Sequence, residues 1–228
     1  MTGETNSLVV LFDVDNTLLD NDRVRDLLGL SLDAALGTTA AQRFWDLYEQ
    51  IREESGIVDF PHAIARFRAE CPDNVAARRL EYLIFGFPFA DVVYDASFAA
   101  IKHAEAFARP VILSDGDQCF QRHKIRAAGI ERSVDGHVLV FDHKELRLPE
   151  LMKLYPASHY VMVDDKNRIH ASLKKQLGDR ITTVMVCQGK YAHDQAHHDF
   201  PGADITIEGI EGFLSLDAPA LVAAAATF

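Results

Sequence analysis

A run of five apolar residues, Leu8-Val9-Val10-Leu11-Phe12, ends abruptly in Asp13-Val14-Asp15-Asn16-Thr17. The run is continuous rather than alternating, which predicts a strand covered on both faces, as in the middle of a parallel sheet. Parallel strands need crossover connections, normally helices, so the rest of the chain is expected to alternate between the two. In open sheets of this kind ligands bind beyond the carboxyl ends of the strands. The acids directly after the run are therefore the first place to look for chemistry.

The next 75 or so residues behave differently. Between residues 20 and 95 no further strand-like run appears before Asp91-Val92-Val93-Tyr94. Apolar residues recur at helical spacing instead: Phe44, Leu47, Tyr48 and Ile51, then Ile64, Phe67 and Cys71, then Leu80, Leu83, Ile84 and Phe87. Pro61 and Pro72 punctuate them. From residue 96 onward, strands are predicted over 111–113, 137–141, 160–163 and 181–186, with a short last one at 205–207. Helices are predicted between them, over about 120–128, 145–154 and 167–177, with Gly129 and Gly178 as stops. The expected fold class is α/β: a doubly wound, mostly parallel sheet built from residues 1–19 and 96–228, with an all-helical block inserted over 20–95. The Ala-rich tail from Ala218 to Phe228 is expected to be a frayed helix or unstructured, and carries no assigned function.

Composition narrows the partners. Apolar residues make up 48% and charged residues 25%, enough for a packed core, which excludes disordered and fibrous classes. A net charge of −11 argues against a duplex nucleic acid or an anionic membrane surface as partner. Cys71, Cys119 and Cys187 are far apart, odd in number and in no metal-binding spacing, so a reducing cytoplasm is expected. The opening residues carry no basic, apolar signal pattern, and no stretch approaches the ~20 apolar residues of a membrane span.

Each predicted strand leads into polar or acidic residues: Asp13 and Asp15 after the first, Ser114, Asp115 and Gly116 after the next, then Lys144, then Asp164 and Asp165. Carboxylates gathered on one edge repel one another unless protons or a cation intervene. An all-oxygen set suits Mg²⁺, which keeps some of its waters and is often completed by a phosphate. A lysine and a hydroxyl beside such an ion suit a phosphoryl group, whose transfer needs positioning and charge neutralisation above all. An aspartate nucleophile would divide hydrolysis into two easier steps.

These residues carry a resemblance. Leu11-Phe12-Asp13-Val14-Asp15-Asn16-Thr17-Leu18 resembles the DxDxT first motif of the haloacid dehalogenase-like (HAD) superfamily. Val111-Ile112-Leu113-Ser114 resembles its second motif and Val161-Met162-Val163-Asp164-Asp165 its fourth, in the family's order. The helical block lies where the family carries a helical cap, and the resemblance spans about residues 8 to 190. It implies a Rossmann-like core, with Asp13 as nucleophile and metal ligand and Asp15 as general acid–base whose carbonyl also faces the metal. It implies that Thr17 orients the loop. Ser114 would bind the transferring phosphoryl group with the backbone NH groups of Val14, Asp115 and Gly116. Lys144 would pair with Asp13 and the phosphate, and Asp165, with Asp164, would ligate Mg²⁺. The family's true dehalogenases lack an acid at the position of Asp15 and need no metal, so this branch implies phosphoryl chemistry.

The expected activity is a Mg²⁺-dependent phosphatase acting on a small phosphorylated metabolite. A phosphomutase of the same superfamily, or a catalytically silent binding protein on the same fold, are the alternatives. A phospho-accepting receiver uses similar residues in a different order and has no inserted block. Lys124 and Lys166 compete with Lys144 for the lysine role. Among the arginines of the block, Arg23 is nearest the first motif and the first choice for gripping a distal anion. His193, His197 and His198 are read as a solvated loop rather than a metal site. The oligomeric state is open.

Overall fold

The computed structural model describes residues 7–72, 74–190 and 199–225. Its six strands are β1 (Leu8–Phe12), β2 (Arg109–Asp115), β3 (Val138–Phe141), β4 (His159–Asp164), β5 (Ile181–Val186) and β6 (Ile205–Ile207). They form one sheet in the order β3-β2-β1-β4-β5-β6, and every neighbouring pair is parallel. Leu11 of β1 stands between Val111 of β2 and Met162 of β4. The winding reverses at β1, since β2 and β3 extend to one side and β4, β5 and β6 to the other. That reversal opens a crevice at the carboxyl ends of β1, β2 and β4.

The continuous apolar run of β1 is explained by what lies on its two faces. Val10 and Phe12 join one buried cluster with Val161 and Val163, while Val9 and Leu11 join a second with Val111, Leu113 and Met162. The strand is buried along its whole length. The outer connections are helical: α5 (Ser97–Glu105), α6 (Gln118–Ala127), α7 (Ile130–Ser133), α8 (Leu148–Leu154), α9 (Asn167–Leu177) and α10 (Ala218–Ala224), numbered after the four helices of the insert.

Those four are α1 (Asn21–Leu36), α2 (Thr38–Ser55), α3 (Phe60–Glu70) and α4 (Leu80–Phe85). Asp20 caps α1 by accepting from the Arg23 amide at 2.9 Å, and Asp59 caps α3 with Pro61 in its first turn. Gly56 ends α2 at φ +78°, a conformation most side chains avoid. The chain leaves and re-enters the core side by side. Asp20 N donates to Val92 O at 2.8 Å, Tyr94 N donates to Leu18 O at 3.0 Å, and Leu19 and Val93 form an antiparallel bridge.

Several boundaries differ from the sequence reading. The run at 91–94 is no strand: a 3-10 turn covers Phe89–Val92, and only Val93 makes a bridge. Helix 145–154 is split into a 3-10 turn, Lys144–Leu146, and α8, because Pro149 can sit only in a helix's first turn. Residues 218–224 of the Ala-rich tail form α10, capped by Asp217 and anchored by buried Leu221, the helical one of the two expected outcomes. His193, His197 and His198 lie outside the described residues. Among the described residues no helix is long and apolar enough to cross a membrane.

Candidate active site

β2 and β4 end in acids, Asp115 and Asp164, and β1 between them leads straight into a third. Asp13 comes directly after β1, its amide still donating to Val163 O of β4 at 2.9 Å. One carboxylate oxygen from each of Asp13, Asp164 and Asp165 lies within 4.8 Å of the others, and all three residues are buried. Lys144 reaches this cluster from beyond β3. Its Nζ is 2.6 Å from Asp13 Oδ1 and 2.6 Å from Asp164 Oδ2, with almost no exposure. Asp115 holds that lysine in place by accepting from its backbone amide at 2.7 Å.

Two further lysines converge there. Lys166 Nζ lies 3.2 Å from Asp165 Oδ1 and 4.0 Å from Asp13 Oδ2. Lys124, on α6, donates to Asp15 Oδ1 at 2.5 Å and to Asn21 Oδ1 at 3.2 Å. The three lysines thus divide the carboxylates among them: Lys144 serves Asp13 and Asp164, Lys166 serves Asp165, and Lys124 serves Asp15. Ser114 Oγ accepts from Gln121 Nε2 at 2.9 Å, and the same amide reaches Asp15 Oδ2 at 3.2 Å.

Burial controls the electrostatics. It pushes Asp13 up to about 6, against the pull of Lys144. It pushes Asp165 up to about 8, against Lys166. Burial acts on Asp164 in the same sense, but there Lys144 and Lys166 outweigh it and the carboxyl falls to about 2. Burial disfavours a charge on Lys144 too, yet Asp13 and Asp164 hold its ammonium well above the usual lysine range. A divalent cation fits this cluster. Asp13 Oδ2 and Asp165 Oδ2 are buried and accept no hydrogen bond among the described residues, and the ligand atoms on offer are all hard oxygens.

The loop after β1 is shaped by local bonds. Leu18 and Leu19 amides both return to Val14 O, at 2.9 and 3.0 Å. Asn16 adopts φ +59°, and its side chain accepts from the amides of Asn21 and Asp22, binding the loop to the start of α1. Thr17 is fully buried. Its carbonyl accepts from Gln188 Nε2 at 2.7 Å, while its hydroxyl has no partner among the described residues.

A cavity of about 400 Å³ lies above this floor, between α1, α2 and the core. Asp15, Asp115, Gly116, Lys124 and Lys166 line it from below, and Arg25, Trp45, Tyr48 and Phe60 from the insert.

The structure thus brings together Asp13, Asp15, Ser114, Asp115, Lys144, Asp164 and Asp165, with Lys124 and Lys166 as additions. Two expectations are corrected. The Gly116 amide is not available to a phosphoryl group, because it donates to Phe141 O at 2.9 Å and continues the β2–β3 ladder. Arg23 is exposed and does not line the cavity; the helical twist that turns it to solvent carries Arg25 inward, and Arg52 joins from α2. Gln121 is a site residue that sequence reasoning misses. It stands one turn into α6, and nothing in its residue type or spacing marks it.

No protein-family model matches this chain, and no curated protein does. Solved structures do. A haloacid dehalogenase-like hydrolase from Burkholderia xenovorans is 42% identical, with 95% of this chain and 99% of that one covered and a TM-score of 0.89. A HAD-hydrolase from Bacillus subtilis, solved with magnesium, shares the fold at 15% identity over 93% of this chain and all of that one, with a TM-score of 0.60. The L-2-haloacid dehalogenase of Xanthobacter autotrophicus shares it at 13% identity over 90% and 96%, with a TM-score of 0.58. The first of these is similar over nearly its whole length and well above the identity at which only a fold is shared, and the chain accordingly belongs to the haloacid dehalogenase-like hydrolases.

Proposed function

We propose that this protein is a Mg²⁺-dependent phosphatase that hydrolyses a small phosphomonoester in the cytoplasm through an aspartyl-phosphate. The observation that carries the proposal is Asp15. It is a carboxylate two residues beyond Asp13, lining the cavity and held by Lys124 and Gln121. A dehalogenating enzyme needs no proton donor for a departing halide, whereas an alkoxide leaving group does.

Asp13, Asp165 and Asp164 would hold the cation, which would neutralise charge on the phosphoryl oxygens. The chain's own residues do the rest. An Asp13 carboxylate oxygen attacks phosphorus, forming an acyl phosphate as the ester P–O bond breaks. Asp15 delivers its proton to the departing oxygen. It then takes a proton from the water that attacks the acyl phosphate, which releases inorganic phosphate and restores Asp13. Lys144 balances the charge of Asp13 throughout, and Ser114 offers its hydroxyl to the phosphoryl group. The helical insert acts as a cap that keeps bulk water from the acyl phosphate.

The test is phosphate release across a panel of metabolite phosphomonoesters, with and without EDTA. Release that requires Mg²⁺ and disappears in Asp13→Asn supports the reading. No release from any ester by the Mg²⁺-loaded protein refutes it.

A further inference from the structure

The insert's side of the cavity differs chemically from its floor. Below, the lining is charged: Asp15, Asp115, Lys124 and Lys166. Above, it is dominated by rings and branched side chains, with Trp45, Tyr48 and Phe60 at its centre and Leu28 beside them. Trp45 and Tyr48 stand edge to face with centroids 5.3 Å apart, and Tyr48 and Phe60 are 5.0 Å apart. The wall continues onto the core, because Phe60 packs on Phe120 of α6 with centroids 4.5 Å apart.

The charged groups on that side reinforce the wall. Arg25 lies over the faces of Trp45 and Tyr48, 5.1 and 5.3 Å from their centroids. Arg25 and Arg52 both bind Glu49, at 2.5 and 3.1 Å. The guanidinium is thus stacked against the rings and held by a carboxylate, which fixes the ring orientations before a ligand arrives.

Asp15, which would protonate the departing oxygen, lines the same cavity as this wall, so the leaving group of a phosphomonoester bound at the floor would extend toward the rings. A polyol chain there would exchange hydrated hydroxyls for ring carbons and lose hydrogen bonds the wall cannot replace. A flat apolar body would lose only water-exposed apolar surface and gain ring contacts. Resting on the phosphatase reading, we propose that the substrate's leaving group is an aromatic ring on a short linker, selected by Trp45, Tyr48 and Phe60. A cavity of about 400 Å³ has room for such a group.

The comparison that tests this is 2-phenylethyl phosphate against ribose 5-phosphate, both esters of primary alcohols with similar intrinsic reactivity. The expected preference in kcat/KM for the phenylethyl ester is about 10- to 100-fold. Trp45→Ala should shrink it to within roughly threefold of unity, and Trp45→Phe should restore most of it. The conservative variant keeps the test decisive if the alanine variant is unstable. Equal turnover, or a preference for the sugar ester, overturns the inference and leaves the phosphatase reading intact. If neither ester is hydrolysed, the ester panel decides the phosphatase reading and a binding measurement decides this one. Trp45 is the chain's single tryptophan, so its fluorescence reports on this wall alone. Quenching by 2-phenylethylphosphonic acid and not by a polyol phosphonate supports the inference, and the absence of selective quenching overturns it.

Discussion

Asp13 and Asp15 differ by two positions and are held by different lysines, so their variants should fail differently. On the proposed mechanism Asp13→Asn would remove the nucleophile but keep a polar group of the same shape against Lys144; turnover should vanish while the melting temperature stays within a few degrees. Near-normal activity in that variant would reassign the nucleophile. On the proposed mechanism Asp15→Asn would keep the nucleophile and lose the proton donor, and kcat should fall by about 10²- to 10⁴-fold. A phosphate ester with an activated leaving group should suffer less, because it needs less protonation. Lys144→Met should be the costly one for folding. It leaves Asp13 and Asp164 facing each other without their shared cation, a loss of about 3–5 kcal/mol. Denaturant melts of the metal-free protein measure it, and an unchanged midpoint would mean that the carboxylates find another partner. Among these residues the sequence exposes the acids well, since each sits directly after an apolar run. The resemblance assigns Lys144 to Asp13, as the structure has it, but nothing in the sequence reveals that Lys124 meets Asp15 or Lys166 meets Asp165. Lys124 and Lys144 are 20 positions apart, and only the packing of α6 against the floor sends one to Asp15 while the turn after β3 sends the other to Asp13.

Elements act on the site through the loops they present. The turn after β5 approaches the loop after β1 so closely that a Cβ at Gly189 would come within 2.6 Å of Asn16 side-chain atoms, and Gly189 sits at φ +77°. Asn16 in turn caps the start of α1. Gly189→Ala should therefore cost about 1–3 kcal/mol, and should lower kcat as well, because the displaced loop carries Asp15. Thermal melts and steady-state kinetics on the variant check both, and a silent substitution would show the loop to be more pliant than its bonds suggest. Elements are the most legible part of the sequence where periodicity is clean, as in β1 and α9. They are least legible where one residue decides the outcome. Pro149 divides a predicted helix, and Val92-Val93 reads as a strand though no neighbour is placed to pair with it beyond one bridge. Arg23 and Arg25 show the same limit on one helix: both are near the first motif, and only the direction in which α1 leaves the core turns Arg25 inward.

At the scale of the molecule, the buried acids make stability depend on pH. Asp13 and Asp165 have folded values near 6 and 8 against an ordinary 3.8, so the native state holds protons that the unfolded chain has released. Their contribution is complete below about pH 4 and declines as pH rises through 6 and 8. Asp164, held near 2, works oppositely, but its contribution is lost only below about pH 4. The metal-free protein should therefore melt at a temperature on the order of 5 °C lower at pH 8 than at pH 5. If Mg²⁺ binds as proposed, it would compete with those same protons, so its stabilising effect should grow over that interval. Calorimetry at several pH values, with EDTA or with Mg²⁺, measures both trends; a metal-free melting temperature that rises toward pH 8 would contradict the protonation scheme. The side-by-side departure and return of the chain at Asp20 and Val92 has a consequence of its own. A segment spliced between those neighbouring points that kept a partner for Asn16 and Lys124 at the position of Asn21 would leave the floor in place, so bond-breaking and the choice of cargo would become separable traits, the second open to revision in an ancestor that inherited the first.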